Sequence, residues 1–401
     1  MNAMKRNVWL LSGCQALMNS GNSLLIATSA LVGYRLAADK SLATLPLALQ
    51  FLTSMLTTIP ASFLMKAIGR RAGFVVGTLL GLAGAALAAW GIVAGNFIYF
   101  CVAAAFIGAL NGFGTYYRFA AADVADADYR SRAISYVMAG GVVAAFIGPN
   151  LAHWTSDWLS GIEFAGSYLS LLGIYGLSLV VLLCVRIPPP TAAHAHAHGR
   201  PLSVIARQPA FIVALAGGAL GFGVMALVMT ATPLAMHQHA HVFADTAFVI
   251  EWHLLGMFAP SFFTGHLIRR FGVLNVMLAG VVLNIGCVAV NLAGTEVAHF
   301  WAALTLLGVG WNFLFIGGTT LLTETYTESE KAKAQALNDF LVFTVITAAS
   351  LSAGALQYHL GWRAVNLGVV PLIIVILAAI LWLKQVRRVQ ARALAGTVGV
   401  D

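Results

Sequence analysis

Long uncharged apolar stretches alternate along the whole chain with short polar or charged connections. The hydrocarbon core of a bilayer is about 30 Å thick, so a helix needs about 20 apolar residues to cross it. The pattern predicts twelve membrane-spanning helices. Their approximate bounds are residues 8–33, 43–65, 73–95, 97–122, 133–156, 167–186, 209–236, 246–267, 273–293, 297–322, 334–357 and 363–384.

The longest polar interruption, residues 187–208, divides six predicted helices from the other six. It predicts an N-terminal half at 1–186, a cytoplasmic linker at 187–208 and a C-terminal half at 209–401 with a short tail. Similar features recur about 200 residues apart on either side of the linker. Arg70 and Arg71 follow the second helix, and Arg269 and Arg270 follow the eighth. Such recurrence indicates internal duplication.

The composition supports a membrane protein, because 60% of the 401 residues are apolar and only 9% are charged. A soluble domain of this size could not cover such a chain with water-facing side chains. The first apolar segment lacks a small-residue cleavage pattern, so we expect it to be retained as a helix. The expected location is the bacterial inner membrane, crossed many times.

Lysine and arginine fall mainly in alternate connections between the helices. Because cytoplasmic loops retain these residues, the pattern predicts how the chain is oriented in the membrane. With the N-terminus inside, the inner connections and the tail carry Arg70, Arg71, Arg130, Arg132, Arg186, Arg200, Arg207, Arg269, Arg270, Lys331, Lys333, Lys384, Arg387 and Arg388. Both termini are therefore predicted to be cytoplasmic. The same bias accounts for the net charge of +8, so no nucleic-acid partner is needed.

The basic loops after the second helix of each half resemble the loop signature of the major facilitator superfamily. The resemblance spans the whole chain. It implies an all-α membrane protein of two six-helix halves around a central cavity, which opens to either side as one half rocks against the other.

Polar residues repeat at helical spacing on two predicted helices, and a polar group in lipid is costly unless it faces protein or a wet cavity. These residues are Gln15, Asn19 and Asn22 on the first helix and Asn111, Thr115 and Arg118 on the fourth. They are predicted to line the central cavity. The alternative is that the amides and threonine form hydrogen bonds between helices. Arg118 could instead reach the cytoplasm or pair with Asp123.

Two further ionisable groups, Glu251 and Asp339, are predicted at membrane depth. Either could carry a coupled proton. The alternative is that solvent reaches both at helix ends, and the sequence does not choose between these interpretations.

A sulfur and imidazole cluster is predicted at the start of the second half. Met225 and Met229 lie four residues apart on the seventh helix, as do His253 and Met257 on the eighth, so each pair shares a helix face. The predicted hairpin loop at 237–245 places the four side chains at two matched depths near the middle of the membrane. Thioether sulfur and neutral imidazole both suit Cu(I). The alternative is that the methionines fill gaps in an apolar core.

These paired motifs resemble those of the CcoA-type copper importers within the major facilitator superfamily. The resemblance implies copper import for assembly of the cbb3-type cytochrome oxidase, with copper as cargo rather than as a permanently bound cofactor. Cytoplasmic copper chaperones would then receive the ion. Members of that family without the motifs resemble carriers of other cargo, including riboflavin.

Two histidine runs flank the cluster in sequence. His237, His239 and His241 are predicted in the outer loop, where imidazoles could capture a metal before it enters the membrane. A second run, His194, His196 and His198, lies in the linker, and its role is open between metal binding and a solvated loop.

The main alternative keeps the fold and changes the cargo to a small organic solute, riboflavin-like or anionic. Such a solute would be held by Arg118, Tyr116, Tyr117 and the polar stripe of the first helix. A membrane sensor or assembly factor is a third hypothesis, although no signalling domain is recognisable. An enzyme is not expected, because the sequence contains no P-loop, nucleophile elbow or catalytic metal motif.

Overall fold

The computed structural model describes residues 3–126, 129–187, 200–327 and 330–398, and the regular elements within these ranges are helices. The N-terminal bundle consists of α1 (Ala3–Leu36), α2 (Leu45–Ile68), α3 (Arg70–Val93), α4 (Phe97–Gly114), α5 (Tyr117–Val124), α6 (Arg130–Thr155) and α7 (Ala165–Cys184). The C-terminal bundle consists of α8 (Leu202–Ala206), α9 (Pro209–Leu215), a π-helical turn (Ala216–Leu220), α10 (Gly221–Gln238), α11 (Phe243–Phe258), α12 (Ser261–Phe271), α13 (Val273–Ala293), α14 (Val297–Thr323) and α15 (Lys331–Val398). A short 3₁₀ helix (Lys40–Leu42) precedes α2.

Nine helices of the described ranges are long and apolar enough to cross a membrane, or ten if α11 and α12 form one bent span. The long first helix α1 carries polar side chains along much of its length and is not among the nine. The 68-residue α15 counts once, although Gly361 interrupts it with a left-handed φ of 78° that glycine tolerates without steric cost. The predicted all-helical membrane fold is confirmed. The count of twelve stays a prediction.

Several predicted spans are interrupted. The fourth span breaks between α4 and α5, and the eighth bends by 44° between α11 and α12. Pro260 lies at this bend and lacks the N–H that would continue the helical hydrogen bonds. The loop between α10 and α11 covers only 239–242, because both helices extend into the predicted loop at 237–245.

Each bundle has its own hydrophobic core, and glycines bring helices into close contact in both. A Cβ atom on Gly108 of α4 would clash with the carbonyl oxygen of Gln50 in α2. A Cβ atom on Gly308 of α14 would clash with the carbonyl oxygen of His253 in α11. Small residues allow such backbone approach in membrane helices. The two glycines are 200 residues apart, and each allows two helices of its own bundle to pack closely.

The ends of the helix bundle differ in their contacts. At the end that carries the start of α1, Asn7 donates to the carbonyl oxygen of Arg186 over 2.7 Å. At the opposite end, which we call the far end, the two bundles pack on each other. Thr44 of the N-terminal bundle accepts a 3.1 Å hydrogen bond from the backbone N–H of Gly354, within α15. The far end therefore joins the two bundles directly.

Arg200, the first described linker residue after 188–199, is fixed to the connection between α14 and α15. Its guanidinium donates to both carboxylate oxygens of Glu330, over 2.8 Å and 2.7 Å, and its backbone N–H donates over 2.6 Å. The Glu330 side chain is 1% exposed. These donors, with the backbone N–H of Thr327, hold the pKa of Glu330 well below its usual range. The division at 187–208 stays a prediction, since 188–199 lie outside the described residues.

Replacing Glu330 with Gln should lower the melting temperature at neutral pH, because Arg200 loses its charged acceptor. A carboxylate with a depressed folded pKa stabilises the fold above its unfolded value of 4.5, and this contribution declines as the pH falls below it. The difference in melting temperature between wild type and Glu330→Gln should therefore shrink below pH 4.5. Thermal unfolding of the detergent-solubilised protein at several pH values measures it.

Glu324→Gln is the matched control, because Glu324 pairs with Arg387 over 2.6 Å at an exposed position. Exposed ion pairs contribute little to stability, so this variant should unfold close to wild type at every pH. A Glu330→Gln difference that stays constant between neutral pH and about pH 3 would contradict the expectation.

Candidate functional site

The predicted polar stripe of α1 forms an amide network with α2 and α4. The Oδ1 atom of Asn22 accepts hydrogen bonds from Gln50 over 3.0 Å and from Asn111 over 2.9 Å. One helical turn and two turns away on α1, Asn19 and Gln15 are joined by a 3.0 Å hydrogen bond. Asn22 therefore joins three helices. This agrees with the second interpretation of the polar stripe, in which its amides form hydrogen bonds between helices.

The same network keeps unused hydrogen-bonding capacity. Within the described part of the chain, Oε1 of Gln50 and Oδ1 of Asn111 are buried atoms without a hydrogen-bond partner. An unpaired buried carbonyl oxygen costs free energy unless a donor reaches it. The two oxygens could accept hydrogen bonds from a polar solute or from water. The network thus both holds helices together and presents acceptors.

The two remaining residues predicted to line the cavity, Thr115 and Arg118, make different kinds of contact. Thr115 donates to the carbonyl oxygen of Gly112 in its own helix over 2.9 Å. Arg118 does not pair with Asp123, because Asp123 binds Arg70 over 2.6 Å. The Arg118 guanidinium instead lies 4.8 Å from the centre of the Phe119 ring. Its Nε is buried and has no partner among the described residues.

An aromatic cluster on the C-terminal bundle was not predicted from the sequence. Trp311 of α14 stacks on Phe315 with ring centres 4.9 Å apart and an interplanar angle of 11°. Phe222 of α10 meets the Trp311 ring edge-on at 5.0 Å, and Phe258 of α11 does so at 6.4 Å. The indole nitrogen of Trp311 is buried without a partner in the described structure. Three helices therefore present aromatic surface and one free N–H donor.

This cluster lies where the two bundles meet. A Cβ atom on Gly141 of α6 would lie 2.9 Å from the ring of Phe258, so the glycine lets α6 approach the cluster. Phe51, the neighbour of Gln50 in α2, packs with Phe222 around one small apolar core that includes Val342 of α15. Aromatic rings of the C-terminal bundle and amide-bearing helices of the N-terminal bundle thus share one interface.

Asn312 holds the bend of the eighth span beside the cluster. Its Nδ2 donates to the carbonyl oxygen of Met257 and to the hydroxyl of Ser261, each over 2.7 Å. Its Oδ1 accepts from the Thr264 hydroxyl over 2.6 Å. Asn312 is 1% exposed, so it satisfies polar groups that the break at Pro260 leaves without helical partners.

The four predicted metal ligands lie in the apolar core of the C-terminal bundle. Met225 and Met229 are each 2% exposed, Met257 is 6% exposed and His253 is fully buried. The hairpin geometry differs from the prediction, because α10 packs mainly on α15 while α11 packs mainly on α14 and α6. Nδ1 of His253 lies 2.8 Å from the carbonyl oxygen of Leu304 in α14. The assignment of these four residues as metal ligands stays a prediction.

Two of the three histidines predicted to capture metal, His237 and His241, line one cavity, and each ring makes its own contact. His241 lies 2.7 Å from the carbonyl oxygen of Thr295 through Nε2, and the ring of His237 meets Tyr34 edge-on at 6.1 Å. His239 is exposed at the end of α10. Their role in metal capture stays a prediction. His194, His196 and His198 lie outside the described residues.

The two acidic residues proposed for proton coupling are both close to the opposite bundle. Glu251 of α11 accepts a 2.5 Å hydrogen bond from Nδ2 of Asn150 in α6. Asp339 is an exposed residue of α15 and accepts a 3.1 Å hydrogen bond from Asn338. Asp339 interacts electrostatically with Arg118 of the N-terminal bundle. A proton-carrying role for either residue stays a prediction.

Comparison with known proteins now decides the family. The family model described as Major Facilitator Superfamily matches residues 8–250 and, in a second match, residues 243–399. The chain belongs to the Major Facilitator Superfamily. It is therefore a multi-pass inner-membrane transporter and not an enzyme, as the sequence predicted.

Two members of the family with which the chain aligns over most of its length are similar to it in sequence. The chain is 43% identical over 383 residues to the riboflavin transporter RfnT of Brucella anthropi, covering 94% of this chain and 96% of that protein. It is 26% identical over 389 residues to the uncharacterized MFS-type transporter YdeG of Bacillus subtilis, covering 92% and 90% of the two chains.

Solved structures share the fold at low sequence identity. A D-xylose-proton symporter is 14% identical with a TM-score of 0.71, and the match covers 92% of this chain and 96% of that one. The human organic anion transporter MFSD10 is 13% identical with a TM-score of 0.67, and the match covers 95% and 100%.

The prediction of copper import is wrong. A chain with both sulfur and imidazole motifs is 43% identical, over nearly its whole length, to a riboflavin transporter. The expectations of copper as the cargo and of cytoplasmic copper chaperones as partners depended on copper import, so they are no longer supported. Methionine packs readily into irregular apolar cores, so i, i+4 spacing alone does not specify a metal site. The absence of a permanent cofactor stays a prediction.

Sequence reasoning missed Gln50, Phe222, Trp311 and Asn312. Only Asn312 carried a usable signal, since a buried amide in an apolar helix must find partners and Pro260 creates free backbone groups on another helix. The aromatic residues looked like ordinary apolar positions in sequence. Their grouping depends on how α10, α11 and α14 pack.

Replacing Asn22 with Leu should destabilise the N-terminal bundle by about 1 kcal/mol, because two amide donors on other helices lose their acceptor. The midpoint of unfolding in detergent measures it. Gln15→Leu is the control, since it removes a hydrogen bond within α1 only. Equal loss of stability in both variants would show that Asn22 does not join the helices.

Proposed function

We propose that this transporter carries riboflavin or a closely similar neutral solute with a planar aromatic ring system. The observation that carries the proposal is the 43% identity to the riboflavin transporter RfnT across 94% of the chain. The hypothesis of an organic solute, set against copper import in the sequence analysis, is therefore the one we adopt.

The chemistry at the interface of the bundles suits such a solute. Flat aromatic rings bind well to stacked or edge-on aromatic side chains, which the cluster around Trp311 provides. The polar edge and side chain of a flavin need hydrogen-bond donors and acceptors. Gln50 and Asn111 offer unpaired acceptor oxygens, and the Trp311 indole offers an unpaired donor. Ligand sites commonly combine apolar walls with few polar groups in this way.

We further propose twelve membrane crossings with both termini in the cytoplasm. Adding α1, the bent α11–α12 pair and a division of α15 at Gly361 to the nine helices gives twelve. Twelve crossings return the chain to the side where it began. The lysines and arginines concentrate at that side, as the positive-inside rule requires of a cytoplasmic face.

Riboflavin uptake tests the cargo. Expression in a riboflavin-requiring strain without its own transporter should restore growth at limiting riboflavin and give measurable uptake of labelled riboflavin. Trp311→Leu should reduce the initial rate about tenfold, because a stacking surface and a donor are lost together. Trp301→Leu is the control, since Trp301 is 37% exposed and lies outside the cluster. If the wild-type protein restores neither growth nor uptake, the proposal of riboflavin transport is wrong.

Cysteine labelling tests the topology. In a background with the four native cysteines replaced, Asp39→Cys at the far end should react with a membrane-impermeant maleimide in intact cells. Arg388→Cys, near the end of α15, should react only after the membrane is permeabilised. Labelling of both residues, or of Arg388→Cys alone, in intact cells would refute the proposed orientation.

A further inference from the structure

A cavity of about 310 Å³ opens at the far end between the two bundles. We call it the vestibule. Its walls come from the end of α1 and the loop after it, from the loop between α6 and α7, and from the end of α10, the loop after it and the start of α11. Its volume lies at the lower bound of ordinary small-molecule sites. The central site, by which we mean the amide network of Asn22, Gln50 and Asn111 together with the aromatic cluster around Trp311, contributes no residue to its lining.

Aromatic side chains form part of the vestibule wall. The Tyr34 ring meets the His237 ring edge-on at 6.1 Å, and Phe164 meets Phe243 edge-on at 4.8 Å. Each pair joins the N-terminal bundle to the C-terminal bundle. Phe164 is 3% exposed and has a φ of 66°, a left-handed conformation that bulky residues rarely adopt. Its ring is held at the interface despite that strain.

Charged side chains with free hydrogen-bonding groups line the same space. Arg35 and Glu163 both face the vestibule, and within the described chain neither side chain has a hydrogen bond or an ion pair. Lys40, in contrast, donates to the carbonyl oxygen of Ala37 over 2.8 Å and lies 5.3 Å from the centre of the Tyr34 ring. One unpaired donor group and one unpaired acceptor group therefore remain, beside aromatic walls.

The vestibule is separate from the central site. Leu234 of α10 packs with Ala30 and Ala43 of the N-terminal bundle, directly behind Leu31 and Tyr34 of the cavity wall. Tyr34 is twelve residues beyond Asn22 on α1, which corresponds to about 18 Å of helix. A single three-ring aromatic molecule does not span that distance. A solute in the vestibule therefore occupies a different position from one at the amide network.

We propose that the vestibule is a second, outer binding site for the carried solute, which a neutral aromatic molecule occupies before it reaches the central site. The proposal rests on the proposed function for the identity of the solute. A flavin carries carbonyl acceptors, an imide N–H and hydroxyl groups on one flat molecule. Arg35 meets the acceptors, Glu163 meets the donors, and Tyr34 with His237 contacts the ring.

Initial rates of riboflavin uptake against concentration test the proposal. The double variant Arg35→Gln with His237→Gln should raise KM about tenfold, because a charged hydrogen bond and a ring contact are lost. The maximal rate per molecule at the cell surface should stay within about twofold of wild type, since the central site is unchanged. Glu163→Gln should raise KM in the same direction.

His239→Gln is the matched control, because His239 is exposed in the same short segment but does not line the vestibule. It should leave KM unchanged. Wild-type transport with the same KM in all variants would overturn the outer site and leave riboflavin transport standing. A fall in maximal rate without a rise in KM would also overturn it. Absence of riboflavin uptake by wild type would overturn both proposals.

Discussion

A polar side chain inside a membrane bundle needs a partner, because the hydrocarbon offers none. The interface between the two bundles is built around that constraint. Asn22 satisfies two amides from neighbouring helices, and Asn150 satisfies Glu251 across the bundles. Among the described residues, seventeen buried side-chain atoms have no hydrogen-bond partner, and they include the Gln50 oxygen and the Trp311 indole nitrogen. In the function that we propose, the solute would supply hydrogen-bond partners to these two groups.

The second dependence is on breaks in the helices. Proline and glycine interrupt spans where the chain must bend, and nearby side chains satisfy the freed backbone. Asn312 does this at the bend beside Pro260, which fixes Met257 and the adjacent Phe258. The aromatic cluster is thereby held by hydrogen bonds as well as by packing. At the far end, contacts such as the hydrogen bond from Gly354 to Thr44 join the two bundles.

The helical membrane fold could be predicted from hydropathy alone, because crossing a bilayer imposes length and composition on every span. The amide stripe of α1 was also predictable, since polar residues at helical spacing must face protein or water. The cargo was not. His253 and the three methionines share a spacing that suits copper, yet the same spacing suits an apolar core. Which neighbour His253 would face depended on α11 packing against α14, and no local pattern encodes that contact.

Transport by the purified protein in sealed lipid vesicles tests the central claim most directly. Vesicles preloaded with unlabelled riboflavin should accumulate labelled riboflavin through exchange, and the same vesicles should take up no more copper than protein-free vesicles. The opposite result, protein-dependent copper uptake without riboflavin exchange, would contradict the account of an aromatic solute held between the amide network and the aromatic cluster.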